Sequence, residues 1–168
     1  MILEPVVNLL HLRIKISDPN IGFMDRIKSS TPTQINKPEG VSLKTEDGEV
    51  QVSQFNVSQD YLNQPFTLTR SATGFVLSNG FDEFKGQIGQ AHQFRGTDGQ
   101  IHITVNNLPS DGYITNISKQ SLKMTTDTIS SALSVVEKGQ QTGIIELSMT
   151  GPNQQQVTSI LKQIIVSY

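Results

Sequence analysis

The run Asp98-Gly99-Gln100-Ile101-His102-Ile103-Thr104-Val105 decides the fold class. Ile101, Ile103 and Val105 alternate with polar residues, the period of a strand with one dry and one wet face, and Asp98-Gly99 ahead of them is a turn. Upstream, Phe75-Val76-Leu77 reads as a short strand closed by Asn79-Gly80, a strong hairpin dipeptide. Gly86 and Gly89 interrupt the pattern between these turns, where bulges or close backbone approach are expected. Val50, Val52, Phe66 and Leu68 extend the alternation and Asp111-Gly112 closes it, so a β-rich segment is expected over about residues 50–112. From Ser29 to Gly48 the chain is rich in Ser, Thr, Pro, Asn, Lys and Gly with few apolar anchors, the composition of an exposed loop.

The period changes on both sides of this block. Leu3, Val6, Val7 and Leu10 have helical spacing, and Pro5 is tolerable in a first turn, which has no intrahelical N–H partner to lose. Asp18-Pro19-Asn20 ends that region, with Asp18 or Asn20 expected to cap a short helix holding Phe23, Met24 and Ile27. Tyr113, Ile114 and Ile117 suggest one more strand, and Leu122, Met124, Ile129 and Leu133 a helix weakened by the threonines around Thr125. Two short strands, at Val135-Val136 and Ile144-Ile145-Glu146-Leu147, flank Lys138-Gly139-Gln140-Gln141. Pro152 is placed to begin a last helix with Val157, Ile160, Leu161, Ile164, Ile165 and Tyr168 on one face. The expected class is α+β: a mixed sheet packed against helices, with a β-rich inserted segment, in a single domain spanning 1–168.

Composition narrows the function. A net charge of −2 argues against a dedicated nucleic-acid binder, which would show a basic surplus. No run approaches the roughly 18–20 apolar residues needed to cross a bilayer, so the segment is expected to be soluble. The absence of cysteine removes disulfides, thiolate metal sites and cysteine nucleophiles. Ser, Thr, Gln and Asn make up 58 of 168 residues, so the polarity of the chain is largely uncharged.

No phosphate-cradling loop, nucleophile elbow or His-Glu-x-x-His helix is present. A hairpin turning over Arg95–Gly99 would set His92 opposite His102, but two imidazoles without a third ligand make a weak metal site, and His11 lies far off in sequence. Asp82 and Glu83 are adjacent, so on a strand they face opposite ways and cannot cooperate as acid and base; a solvated turn is the plainer reading. Asn56-Val57-Ser58 and Asn116-Ile117-Ser118 match a glycosylation tripeptide that is frequent by chance. Phe75, Phe81, Phe84 and Phe94 could stack on sugar rings, although phenylalanine on strands is more often core. Arg13, Lys15, Arg26 and Lys28 form a basic cluster near the N-terminus that could face an acidic glycan or a neighbour, although solvated helix faces commonly look the same and the cluster alone decides nothing. No catalytic, cofactor-binding or metal-binding residue is assigned.

The order of elements carries a resemblance. Thr142-Gly143-Ile144-Ile145-Glu146-Leu147-Ser148-Met149-Thr150-Gly151, followed by Gln154 to Tyr168, resembles the stretch that precedes the long periplasmic helix of bacterial polysaccharide co-polymerases. Val6-Val7-Asn8-Leu9-Leu10-His11-Leu12 resembles their early helix. Phe66-Thr67-Leu68 with Gly74-Phe75-Val76-Leu77 and Gly80 resembles the β segment inserted in the tyrosine-autokinase subclass. The resemblance implies the periplasmic part of an inner-membrane chain-length determinant for capsular or extracellular polysaccharide, beginning after the first strand and stopping inside the last helix. It also implies flanking membrane helices, self-association in a membrane-anchored oligomer, contact with polysaccharide and the polymerase or export machinery, and no nucleic-acid partner. The kinase domain it implies, with ATP, magnesium and a C-terminal tyrosine cluster, is not in these residues; Tyr61, Tyr113 and Tyr168 are scattered. A carbohydrate-binding β module lined by Phe and Gln is the alternative.

Overall fold

The computed structural model describes residues 2–19 and 34–168. Alternation of apolar and polar residues produces two five-stranded sheets, and every strand pairing among the described residues is antiparallel. The first sheet orders β1 (Ile14–Ser17), β10 (Ile114–Lys119), β5 (Phe66–Ser71), β6 (Gly74–Ser78) and β7 (Glu83–Gly86). The second orders β2 (Gln34–Lys37), β3 (Gly40–Thr45), β4 (Gly48–Val57), β9 (Gly99–Asn107) and β8 (Ala91–Gly96). Val41, Leu43, Val50, Val52, Ile101 and Ile103 of the second sheet and Phe66, Leu68, Phe75, Leu77 and Ile117 of the first share one core. Phe55 sits at its centre, edge-on to Phe66 with ring centroids 5.9 Å apart.

A second, smaller core holds the helices. It joins Val6 and Val7 of α1 (Leu3–Leu9), Ile129 of α2 (Leu122–Ala132) and Ile160 and Ile164 of α3 (Gln154–Ser167). Leu133 of β11 (Leu133–Glu137) and Leu147 and Met149 of β12 (Ile145–Met149) close it from the side of a separate two-stranded hairpin. Helices laid against strands give the α+β class read from the sequence. Ser121 caps α2 through Met124 N–H, and the buried Thr125 and Thr126 satisfy their hydroxyls on the carbonyls of Ser121 and Leu122, one turn back. The threonines that weaken the helix in water are thereby accommodated.

Two expectations change. The stretch read as a loop from Ser29 to Gly48 contains, from Gln34 on, the β2–β3 hairpin turning at Pro38-Glu39. Val41 and Leu43 are enough to bury one face, and the buried polar Asn36 is held by hydrogen bonds instead of apolar neighbours. The last helix begins after Asn153, not Pro152, because the Asn153 carboxamide accepts from Gln155 and Gln156 N–H. The short helix expected at Phe23, Met24 and Ile27 lies outside the described residues. At Gly86 close approach is the operative term: an added Cβ would sit 2.3 Å from Phe75 Cζ.

Candidate functional site

The candidate residues disperse over the two layers. Thr97-Asp98 forms a two-residue turn with Gly96 opposite Gly99, so His92 lies opposite Ile103 and His102 opposite Gln93. This register is one residue away from the one that would pair the two histidines, and strand alternation sends them to opposite faces. His92 stacks on Phe94 at 5.4 Å, meets the edge of Phe75, and accepts from Gln87 N–H at 2.8 Å through Nε2. The His11 ring bonds Pro38 O at 3.0 Å. Among the described residues no three His, Asp or Glu side chains converge to hold a metal.

The phenylalanines do not make a flat platform. Phe75 is in the core, and Phe84 of β7 and Phe94 of β8 stack on each other at 5.1 Å, fastening the two sheets where the β7–β8 link crosses from one to the other. Phe81 stands at a loop tip, 94% exposed. Asn116 lies inside the first sheet between Ser17 and Thr67, and Asn56 accepts from Lys119 Nζ at 3.1 Å. Arg13 Nε is bound to Gln120 O at 2.8 Å and Lys15 is part-buried with its pKa lowered by desolvation, so these two do not form an open basic patch. Arg26 and Lys28 lie outside the described residues.

Asp82 is more than a solvated turn. Its Oδ2 accepts from the buried Tyr61 hydroxyl at 2.9 Å and from Thr97 N–H at 2.9 Å, and Oδ1 accepts from Thr97 Oγ1 at 2.8 Å. The Tyr61 hydroxyl in turn accepts from Asp98 N–H at 3.1 Å. Donation by Thr97 N–H, then by the Thr97 and Tyr61 hydroxyls, holds the Asp82 carboxyl below its ordinary value; burial raises that of Tyr61. This clasp ties the β6–β7 loop to the β8–β9 turn. The sequence carried one hint, since Asn79 accepts from Phe81 and Asp82 N–H and thereby shapes the loop that aims Asp82.

A joint of side-chain amides connects the layers. Gln34 Oε1 accepts from Ile16 N–H at 2.8 Å while its Nε2 donates to Ile14 O at 2.7 Å. Asn36 donates to His11 O and accepts from Gln34 and Gln156, and Asn153 Nδ2 donates to Gln34 O. Residues that looked like generic surface polarity therefore set how α3 meets β2.

The helical layer also carries most of the exposed apolar surface. Of twelve large hydrophobic side chains exposed among the described residues, only Phe81 and Ile114 belong to the sandwich. On the hairpin, Leu133, Leu147 and Met149 are covered, but Val135 and Ile145 continue the same face uncovered, at 59% and 52% exposure. Ile165, Val166 and Tyr168 are exposed on α3.

Comparison with known proteins assigns the family. The chain is 30% identical to the tyrosine-protein kinase ptk of Acinetobacter johnsonii, matching along its whole length and over 24% of that protein. It is 28% identical to the "Putative tyrosine-protein kinase EpsB" of Ralstonia solanacearum, again along its whole length and over 23% of the relative. A shorter match, 33% identical over 98 residues, is to the "Putative tyrosine-protein kinase AmsA" of Erwinia amylovora, covering 55% of this chain and 12% of that one. The chain thus spans about a quarter of the length of the first two relatives. The family described as "Tyrosine-protein kinase Wzc, N-terminal domain" matches residues 19–111, more than half of the chain, and it is to this family that the chain belongs.

Proposed function

We propose that the chain is the periplasmic region of a membrane tyrosine-protein kinase acting as a polysaccharide co-polymerase, with a part in chain-length control and export of a capsular or extracellular polysaccharide. In this reading the segment positions and does not catalyse; ATP and magnesium serve a cytoplasmic kinase domain elsewhere in the parent chain. Family membership supports the setting, and the apolar surface of the helical layer around Val135, Ile145, Ile165 and Val166 carries the mechanical role. Side chains of that kind cost free energy while exposed and gain it when a neighbour covers them. Anchoring many copies in one membrane raises their effective concentration, so that individually weak lateral contacts suffice for a closed oligomer.

Sedimentation of the parent protein in detergent tests the proposal. An oligomer is expected, with the double substitution Val135→Asp and Ile145→Asp yielding smaller species of unchanged secondary structure. Strict monomers of the unmodified protein at high concentration would refute it.

A further inference from the structure

The outer face of the second sheet is as polar as the helical layer is apolar. Strand alternation puts Ser42, Gln51, Gln54, Thr104 and Asn106 there, opposite the inward Val41, Val52, Phe55, Ile103 and Val105. None of the exposed large hydrophobic side chains of the described residues belongs to this face. The hydrogen-bonding capacity is only partly used: Thr104 donates to Gln54 Oε1 and Ser53 to Asn106 Oδ1, while the amide nitrogens Gln54 Nε2 and Asn106 Nδ2 and both polar ends of Gln51 have no partner among the described residues.

Two clefts open along this face and share Lys37. The larger, about 630 Å³, lies between β2–β3 and α3, and its charged lining residues are Lys37 and Lys44 with no carboxylate. The smaller, about 230 Å³, is lined by Ser42, Gln51, Ser53 and Asn106, with Glu39 and Glu49 beside Lys37. Neither lysine makes an ion pair or hydrogen bond with a described residue. The first cleft is within the range of about 300–1,000 Å³ usual for ligand sites. Ile35 lines the larger cleft and Val41 and Val52 the smaller, but the side chains exposed around them are amides, hydroxyls and charges, without the exposed aromatic or large aliphatic anchors that centre a protein interface.

We infer that this face binds a hydroxyl-rich polymer bearing carboxylate groups, an acidic polysaccharide, with Lys37 and Lys44 meeting the carboxylates and the neighbouring amides and hydroxyls meeting the sugar hydroxyls. The inference rests on the co-polymerase reading for the origin of the polymer; the recognition chemistry comes from the face itself. Glu39 and Glu49 line the smaller cleft, which is left to neutral hydroxyl contacts, and Glu49 also stands opposite Lys44 in the β3–β4 register, so Lys37 is the less opposed of the two cations.

Nitrogen-15 NMR of the chain titrated with hexagalacturonate and, separately, with maltohexaose tests it. Hexagalacturonate is expected to shift the amide signals of Lys37, Ser42, Gln51 and Asn106, and raised salt to weaken it. Lys37→Glu combined with Lys44→Glu should lower its affinity about tenfold or more, and Lys123→Glu, a charge reversal on α2, should leave it unchanged. Absence of shifts, equal affinity for maltohexaose, shifts centred on Phe84 and Phe94, or equal losses from Lys123→Glu would each overturn the proposal. A failure here leaves the oligomer of the parent protein standing, and a monomeric parent whose sheet face still binds would remove only the assembly role.

Discussion

The sandwich and the helical layer solve burial in opposite ways. The sandwich gathers eighteen buried side chains into one core and turns amides and hydroxyls outward; the helical layer buries seven and leaves ten large hydrophobics in water. A core of the first size can stabilise its own backbone, whereas a core of the second size gives little surplus over the entropy of ordering three helices and a hairpin. The difference shows where a covering neighbour would add most: the sandwich already has a large core, and the helical layer would gain more from being covered.

The strongest way to break this contrast is to cut both cores equally. Phe55→Ala should lower stability by about 3–5 kcal/mol in urea denaturation and unfold the sandwich cooperatively. Ile160→Ala should cost about 2–3 kcal/mol, with amide protection lost in α1–α3 and retained in β4 and β9. Uniform loss of protection from Ile160→Ala would mean that the layers fold as one unit.

The clasp sharpens the sandwich side. Gly96→Ala would place a Cβ 2.2 Å from the Tyr61 hydroxyl and 2.7 Å from Asp82 Oδ2, so about 1–3 kcal/mol should be lost in thermal melts. The Asp82 carboxyl is held below its unfolded value of about 3.9, so its contribution is complete above that pH and vanishes as pH falls through the lower folded value. Asp82→Asn should therefore flatten the acid limb of the stability profile, measured against the unmodified chain over that same pH window.

Lys119 gives a smaller effect with the same pH slope, but from a buried charge that costs stability instead of adding it. Burial, then the nearby Arg13 charge, lowers its pKa from 10.5 to about 8, so the unfolded chain holds more protons between those values and stability should rise as pH increases across that window. With allowance for solvent access, the rise is expected to be about 1–2 kcal/mol and absent from Lys119→Met. The least consequential change is Lys123→Ala: its partner Asp127, 2.5 Å away on α2, is exposed, and melting should move by less than about 0.5 kcal/mol equivalent.

Period and turn chemistry made most elements legible. Ile101, Ile103 and Val105 alternate as a half-buried strand should, and Val6, Val7 and Leu10 meet the helical core as their spacing requires. The β2–β3 hairpin was missed because its stability draws on Asn36 and Gln34, whose partners are far away in sequence, and composition alone reads such residues as loop. The His92–His102 geometry turned on whether the hairpin loop is centred on one residue or two, a distinction that Gly96-Thr97-Asp98-Gly99 does not announce. The Asp82 clasp needed a hydroxyl from Tyr61, 21 residues away. The outward amides were visible as a composition, but only strand register collected them on one face.

Gln34 holds the outer margin of the first sheet in an unusual manner. By accepting from Ile16 and donating to Ile14, one carboxamide reproduces on β1 the pair of bonds that an incoming strand would make. A foreign strand reaching that rail would find its hydrogen bonds already taken, which discourages fibre-like growth by edge addition. Among the described residues the sheet stops where Gln34 stops it, and contact along that stretch of β1 is left to side chains meeting side chains.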